Sequence, residues 1–413
     1  MIAPGEDRPW LFCQLGAREH YILPRAFHRK GHLRALITDS WVRQGSLVSR
    51  IPGTIGHRFA DRFSPDLADA PVHAFTGAGL VSEIGRRLRG GKADRWRIIM
   101  ARNSWFERHA VARMKSAGLL AGAPRPIVFA YSYAALGILR AAKAAGCYTI
   151  LGQIDPAIAE ENIVAEAVAG HEALRPDWER APAAYWARWM EECQIADRIV
   201  VNSEWARQGL LSAGCDGAKL AVVPLAYEGG QSETVRAYPD RFDDARPLRI
   251  LFLGSLVIRK GIAELLDAAA LLADHPVEFH FVGQEAISFP PAALANPRIV
   301  RHGPAARGDV AEHYAAADVF ILPSLSDGFG LTQIEAQAYG LPVIASRHCG
   351  DVVRDEENGL ILEEVSGAAI AAAIRHYLQD PAAVARHSRR ASESLARFAP
   401  DAVAQQLIEA ARV

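Results

Sequence analysis

Residues 318–346 read DVFILPSLSDGFGLTQIEAQAYGLPVIAS. Two apolar runs, DVFILPS and LPVIAS, enclose a Gly-Phe-Gly turn with one acid before it, Asp327, and one after it, Glu335. Short apolar runs bounded by turn signals read as buried strands, and the stretch from about Leu331 reads as a helix. A chain leaving the carboxyl end of a parallel strand stands where open α/β sheets bind ligands. Gly328 and Gly330 permit a tight turn and close backbone approach. The helix start offers N–H groups and a positive dipole end suited to phosphate. A carboxylate is a poor phosphate partner but a good acceptor for hydroxyl pairs such as those of ribose. Glu335, one turn into the helix, and Asp327, on the loop, therefore suggest a nucleotide carrying a polyol. A helix N-terminal acid with an Asx turn explains the same pattern and stays open at this level.

The same rhythm of short apolar run and amphipathic helix extends in both directions, which argues an α/β chain with parallel sheets. In the first half the runs are 9–15, 35–38, 72–75, 127–132, 148–153, 197–203 and 219–227. A helix is expected from just after Gly16 to about Lys30, with others through 134–145, 156–195 and from Glu204. Residues 228–247 are polar and irregular and read as a linker. The second half runs through 248–255, 277–283, 298–303, 318–324, 341–346 and 359–362, then closes with helices over 366–378, 382–396 and 400–412. The expected division is 1–227, a linker at 228–247, 248–390, and terminal helices at 391–413 that pack back on the first domain.

The totals agree with a globular protein of two or three domains: 413 residues, 50% hydrophobic and 23% charged. With 46 Lys and Arg against 47 Asp and Glu, net charge gives no argument for nucleic acid. Cys13, Cys147, Cys193, Cys215 and Cys349 are scattered without a CxxC pair, so idle thiols in a reducing compartment are expected. The opening MIAPGEDRPW lacks a basic stretch followed by an apolar run, and no run approaches the ~20 apolar residues of a membrane span. A cytoplasmic protein is the expectation, one that can touch the inner face of a membrane.

A second candidate site is LFLGSLVIRKG, 251–261. An apolar strand again runs into glycine, Gly254, and a basic pair, Arg259 and Lys260, precedes a helix. A cation there is unfavourable for the helix dipole and asks for a compensating anion. Lysine can neutralise a diphosphate as a point charge and arginine can clamp it. No GxxxxGK[ST] loop is present.

Taken together, FLGSLVIRKG (252–261), FVG (281–283), the segment 313–346 and ENGLIL (357–362) resemble the C-terminal domain of retaining family-4 glycosyltransferases with the GT-B fold. ADRIVVNSEWARQGLLSAG (196–214) and KLAVVPLAY (219–227) resemble the end of that family's N-terminal domain. Before 196 the likeness is one of topology. It implies two Rossmann-like domains with parallel sheets facing a central cleft, and a nucleotide-diphospho-sugar as donor. The acid–x7–acid motif of the family falls on Asp327, near the donor sugar hydroxyls, and Glu335, on ribose. Lys260 falls on the phosphate-binding lysine, and the amides of Phe329, Gly330 and Leu331 lie where diphosphate or sugar binds. The family often places arginine directly after the first glycine. Here that residue is Ser255, and Arg259 is the candidate to supply the charge. The first acid is usually glutamate, so Asp327 is one methylene shorter. The resemblance implies no cofactor and no metal.

In the first half the acceptor-side candidates are Gly16 with Arg18, Glu19 and His20, then Tyr131 and Tyr133, then Gln153 and Asp155. Many relatives carry a histidine near the last position, where Gln153 or Asp155 stands here. Asp155-Pro156 also reads as a helix cap, and His20 as a solvated residue of a first helical turn. Residues 86–115 hold ten Lys and Arg with Trp96, Trp105 and Phe106 interleaved. This segment could lie on anionic lipid, or be a solvated helix face with its aromatics turned inward. The acceptor expected from the resemblance is a glycan, a lipid-linked sugar or a small molecule, with no nucleic acid. Two rival readings are a GT-B sugar-nucleotide epimerase and a catalytically weakened nucleotide-sugar-binding protein.

Overall fold

The apolar runs form two parallel sheets. The computed structural model describes residues 8–42, 62–77, 95–230, 236–306 and 308–412. Among them the first sheet contains β1 (Trp10–Gln14), β2 (Leu33–Thr38), β3 (Val72–Ala74), β4 (Ile127–Tyr131), β5 (Tyr148–Gln153), β6 (Arg198–Val201) and β7 (Leu220–Val222). Its strand order is β3-β2-β1-β4-β5-β6-β7. The second contains β8 (Leu248–Leu253), β9 (Val277–Val282), β10 (Ile299–Gly303), β11 (Val319–Leu322), β12 (Val343–Ser346) and β13 (Gly359–Leu362), in the order β10-β9-β8-β11-β12-β13. Every pairing between these strands is parallel. Most strands are buried along their length, as sheets covered on both faces require.

Each order reverses direction once, between β1 and β4 and between β8 and β11. Such a switch point opens a crevice at the carboxyl ends of the strands. The segments singled out as candidate sites leave the sheets at these four strand ends, except Gln153 and Asp155, which lie at the end of the neighbouring β5. Topology thus explains why motifs far apart in sequence gather in two places.

The first helix departs from expectation. It runs Ile22–Arg29, and Glu19, His20 and Tyr21 ahead of it all take positive φ, at 43°, 49° and 61°. Three successive non-glycine residues in the left-handed region store strain, which is found mostly at functional sites. The stretch 156–195 is two helices, Ile158–Gly170 and Ala183–Ile195. The first docks on the second sheet: Leu174, just beyond it, sits in that sheet's apolar core, and Ala167 and Val168 pack against the same core.

At the C-terminus, helix Pro400–Ala410 packs on the first sheet. Val403, Ala404, Leu407 and Ile408 join Trp10, Phe12 and Phe27 in one cluster. Arg198 Nε donates to the Ala410 carbonyl at 2.8 Å. All five cysteines are buried and unpaired. Among the described residues, no helix is long and apolar enough to cross a membrane.

The described part of the basic segment is helix Arg95–Ser116. Phe106 is buried, Trp105 packs on Phe75, and Trp96 lies 4.9 Å from Tyr185, ring centre to ring centre. Its three aromatics face the fold, which accords with the solvated-helix reading. Residues 86–94 lie outside the described residues.

Candidate functional site

The loops after β8 and β11 interlock backbone to backbone. The amides of Leu325 and Ser326 both donate to the Arg259 carbonyl, at 2.9 and 3.3 Å. Gly261 has φ +72°, and a Cβ there would stand 1.9 Å from the Pro323 carbonyl oxygen, so only glycine fits the crossing. Arg259 and Lys260 lie on the single 3₁₀ turn Ile258–Lys260 between these loops.

Both cations converge on Asp327. Lys260 Nζ bonds its Oδ2, and Arg259 reaches Oδ1 at 3.2 Å. The Gly328 amide adds a bond to Oδ1 at 2.9 Å. Burial pushes the Asp327 carboxyl up, but Lys260 and Arg259 together outweigh it and hold the group below its ordinary range. Burial also opposes the Arg259 charge, and Asp327 and Glu160 more than offset that. The shorter side chain at 327 therefore reaches both basic residues.

Glu335 lies on helix Thr332–Ala338 and accepts from the Tyr314 hydroxyl at 2.8 Å. Tyr314 is buried and stacks on Tyr339 with centroids 5.2 Å apart. This bond fixes one carboxylate oxygen. Phe329 turns inward against Phe398, and its carbonyl accepts from Gly350 at 2.8 Å, so the turn is anchored by the C-terminal segment. Gly254 and Gly330 take positive φ, at 148° and 76°. Ser255 is exposed at the end of β8.

On the facing sheet the acceptor-side candidates form two groups. Around β1 and β4, the Tyr131 hydroxyl donates to Glu19 at 3.2 Å, and the Arg18 guanidinium lies over the Tyr131 ring at 5.3 Å. Burial pushes the Glu19 carboxyl up against the pull of Arg18 and Tyr131. His20 sits in the strained turn rather than in a regular first helical turn. Gly16 donates its amide to Asp39 at 2.9 Å. Around β5, the Tyr133 hydroxyl bonds Asp155, Gln153 Nε2 donates to the same carboxylate at 3.0 Å, and Trp189 donates to Gln153 Oε1 at 3.0 Å. Asp155 also accepts from the Ala157 amide at 2.9 Å, as a helix-capping acid does. Burial raises its carboxyl, with Tyr133 opposing.

The two sheets meet at the Asp327 loop. Ser203 Oγ caps helix Glu204–Ser212 and also donates to the Gly328 carbonyl at 2.6 Å. Trp205 Nε1 donates to Ser326 Oγ at 3.0 Å, and Ser326 Oγ donates to Glu160 Oε2 at 3.0 Å. A Cβ on Gly328 would stand 2.0 Å from the Ile154 carbonyl oxygen. Sequence reasoning singled out none of Glu160, Ser203, Trp205, Tyr314 or Ser326. Ser203 and Glu204 carry an N-cap signal, but nothing local points across the cleft.

Thus two Rossmann-like domains face each other with an acidic and basic loop pair between them, which is the GT-B architecture. The chain superposes with TM-score 0.60 on Anabaena HepE, crystallised in complex with UDP and glucose, at 16% identity and covering 97% of this chain and 98% of that one. It superposes with TM-score 0.64 on sucrose-phosphate synthase from Thermosynechococcus elongatus, at 20% identity and 97% coverage of each. Residues 247–380 match the family model of glycosyl transferases group 1. Similar sequences include a D-inositol 3-phosphate glycosyltransferase of Geodermatophilus obscurus, 35% identical over 207 residues, 44% of this chain and 46% of that protein. Another, of Kineococcus radiotolerans, is 31% identical over 253 residues, 53% of this chain and 58% of that protein. The chain thus matches about half the length of these curated relatives.

Proposed function

We propose that the protein is a retaining glycosyltransferase that moves a sugar from a nucleotide-diphospho-sugar to a glycan, lipid-linked or small-molecule acceptor, in bacterial polysaccharide or glycoconjugate synthesis. The observation that carries this reading is the convergence of Lys260 and Arg259 on Asp327 at the switch point of the second sheet, with Glu335 on the adjoining helix. A diphosphate entering that crevice would take the two cations over from Asp327 and free its carboxylate for the sugar hydroxyls. Glu335 would hold the ribose. Charge building on the departing diphosphate would then be met by Lys260, Arg259 and the amides of the 328–331 turn, without a metal. The strained Glu19–Tyr21 turn and the Tyr133–Asp155–Gln153 group supply the acceptor wall. The named relatives and the matched domain are transferases, which supports transfer over epimerisation. Use of such a donor fits a cytoplasmic enzyme.

The test is nucleotide release from UDP-, GDP-, ADP- and TDP-sugars, with acceptors that include D-inositol 3-phosphate, and the anomeric configuration of the product by NMR. Release with every donor absent, or an inverted product, contradicts the proposal. A chelator such as EDTA is expected to leave the rate unchanged, and a rate restored only by added divalent metal would contradict the metal-free leaving group. Glu335→Ala is expected to raise donor KM by about tenfold to a hundredfold with a smaller change in kcat, since it removes a bond to a charged acceptor made in both ground and transition states.

A further inference from the structure

We infer that Glu160 is a positioning residue: carried across the cleft on helix Ile158–Gly170, it orients Arg259 and the Ser326–Gly328 loop, so that the first domain completes the donor site of the second. The inference rests on the donor reading above. Glu160 lies in the first turn of that helix, whose far end is anchored in the second domain by Leu174. Two backbone bonds strengthen the anchor: Ser288 donates to the Leu174 carbonyl at 2.7 Å, and Asp177 to the Ala286 carbonyl at 3.2 Å. The helix is therefore a strut fixed to the second sheet, and its N-terminal turn is held against the loops of the crevice.

What Glu160 meets there is specific. Its Oε2 accepts from Ser326, whose oxygen in turn accepts from Trp205 and whose carbonyl accepts from Arg259 at 3.2 Å. The charged groups around it are Arg259 from the β8 loop, Asp155 from the β5 end and Asp327 from the β11 loop. Arg259 bonds Asp327 and the Ser326 carbonyl on its own domain, and the Glu160 carboxylate attracts it electrostatically from the other. When a diphosphate displaces Asp327 from the cations, Glu160 is the acid that still holds the loop through Ser326, whose carbonyl keeps its bond from Arg259. Burial pushes its carboxyl up to about 7 against the pull of Arg259, with the nearby Asp155 and Asp327 adding to the rise.

A folded-state value above the ordinary 4.5 means that ionising Glu160 weakens the fold as pH rises through about 7. Glu160→Gln removes that penalty and should melt no lower than the parent at pH 8. A residue retained for structure would do the opposite.

The test is binding of the best-bound member of the nucleotide-diphospho-sugar panel, by calorimetry from pH 5.5 to 8.5. Phosphodiesters have no ionisation in that window, so the ligand does not contribute one. The parent protein is expected to bind more weakly as pH falls through about 7. Glu160→Gln at pH 8 should bind about tenfold more weakly, the scale of one bond to a charged group, and show no step near 7. Equal affinity of the two proteins at pH 8, or a persisting step in Glu160→Gln, overturns the inference while leaving the donor reading intact. No binding by the parent brings down both. Should Glu160→Gln melt markedly lower, Ser326→Ala decides: weaker binding with a displaced step supports the link to Glu160, and behaviour identical to the parent overturns it.

Discussion

Lys260→Ala is expected to lower kcat/KM about a thousandfold. Lys260 is one of two basic residues bonded to Asp327, and its charge sits where a departing diphosphate would develop. Removing one preorganised donor from such a site typically costs a hundredfold to a thousandfold in rate. A second effect accompanies it. Asp327 is buried, and losing Lys260 leaves its charge with Arg259 alone. Breaking a buried pair by deleting one partner costs about 3 kcal/mol or more. Because the Asp327 carboxyl is held below its ordinary value, its contribution to stability is present above pH 3.8 and lost as pH falls through the folded-state value. Without Lys260 that acid-side loss should begin at higher pH, which thermal melts from pH 3 to 7 would show. Lys260→Arg keeps the charge but changes its shape, and is expected to recover the melt more than the turnover. An alanine variant with parental turnover would remove Lys260 from the chemistry.

Gly328→Val should abolish turnover by about a hundredfold or more while each sheet remains folded. Its Cβ would meet two groups of the opposite domain, the Ile154 carbonyl oxygen at 2.0 Å and Asn202 Nδ2 at 3.0 Å. The first is backbone and cannot swing aside, so the loop must retreat. That retreat breaks the Ser203 bond to the Gly328 carbonyl and shifts Asp327 with it. Displacements near 1 Å in a reacting site cost about a hundredfold. Gly308 is the control, because a Cβ there meets nothing within 4 Å, and Gly308→Ala should behave as the parent. Circular dichroism of Gly328→Val would retain the α/β signal, whereas collapse of that signal would place Gly328 in folding rather than in domain contact.

Strand positions were legible because buried parallel strands leave an unmistakable trace in sequence. DVFILPS and LPVIAS became β11 and β12, whereas β10, IVRHG, carries only two apolar residues at its start and is half exposed. The start of the first helix was not legible. Nothing in REHYI marks left-handed backbone, since the signal for it is glycine or asparagine, and tertiary context imposed it here. The donor loops could be read locally because glycine, acid and basic pair lie within a few residues of strand ends. Glu160 could not. Its sequence, AIAEENIV, is an ordinary acidic first turn, and its meaning comes from a partner 166 positions away. The same holds for Trp205 and Ser326, which touch only when two sheets face each other. Tyr314, which orients Glu335, lies 21 positions upstream on another helix and carried no signal of its own.

The crevice between β8 and β11 is expected to hold a nucleotide diphosphate through Lys260. Calorimetric titration of the purified chain and of Lys260→Ala with UDP-, GDP-, ADP- and TDP-sugars tests it most directly. The predicted result is saturable one-site binding of at least one of them to the parent protein, weakened about a hundredfold or more by the substitution, the scale of a charge-assisted phosphate contact at a buried site. Parent protein that binds none of them, or a variant that binds as tightly as the parent, would contradict the claim.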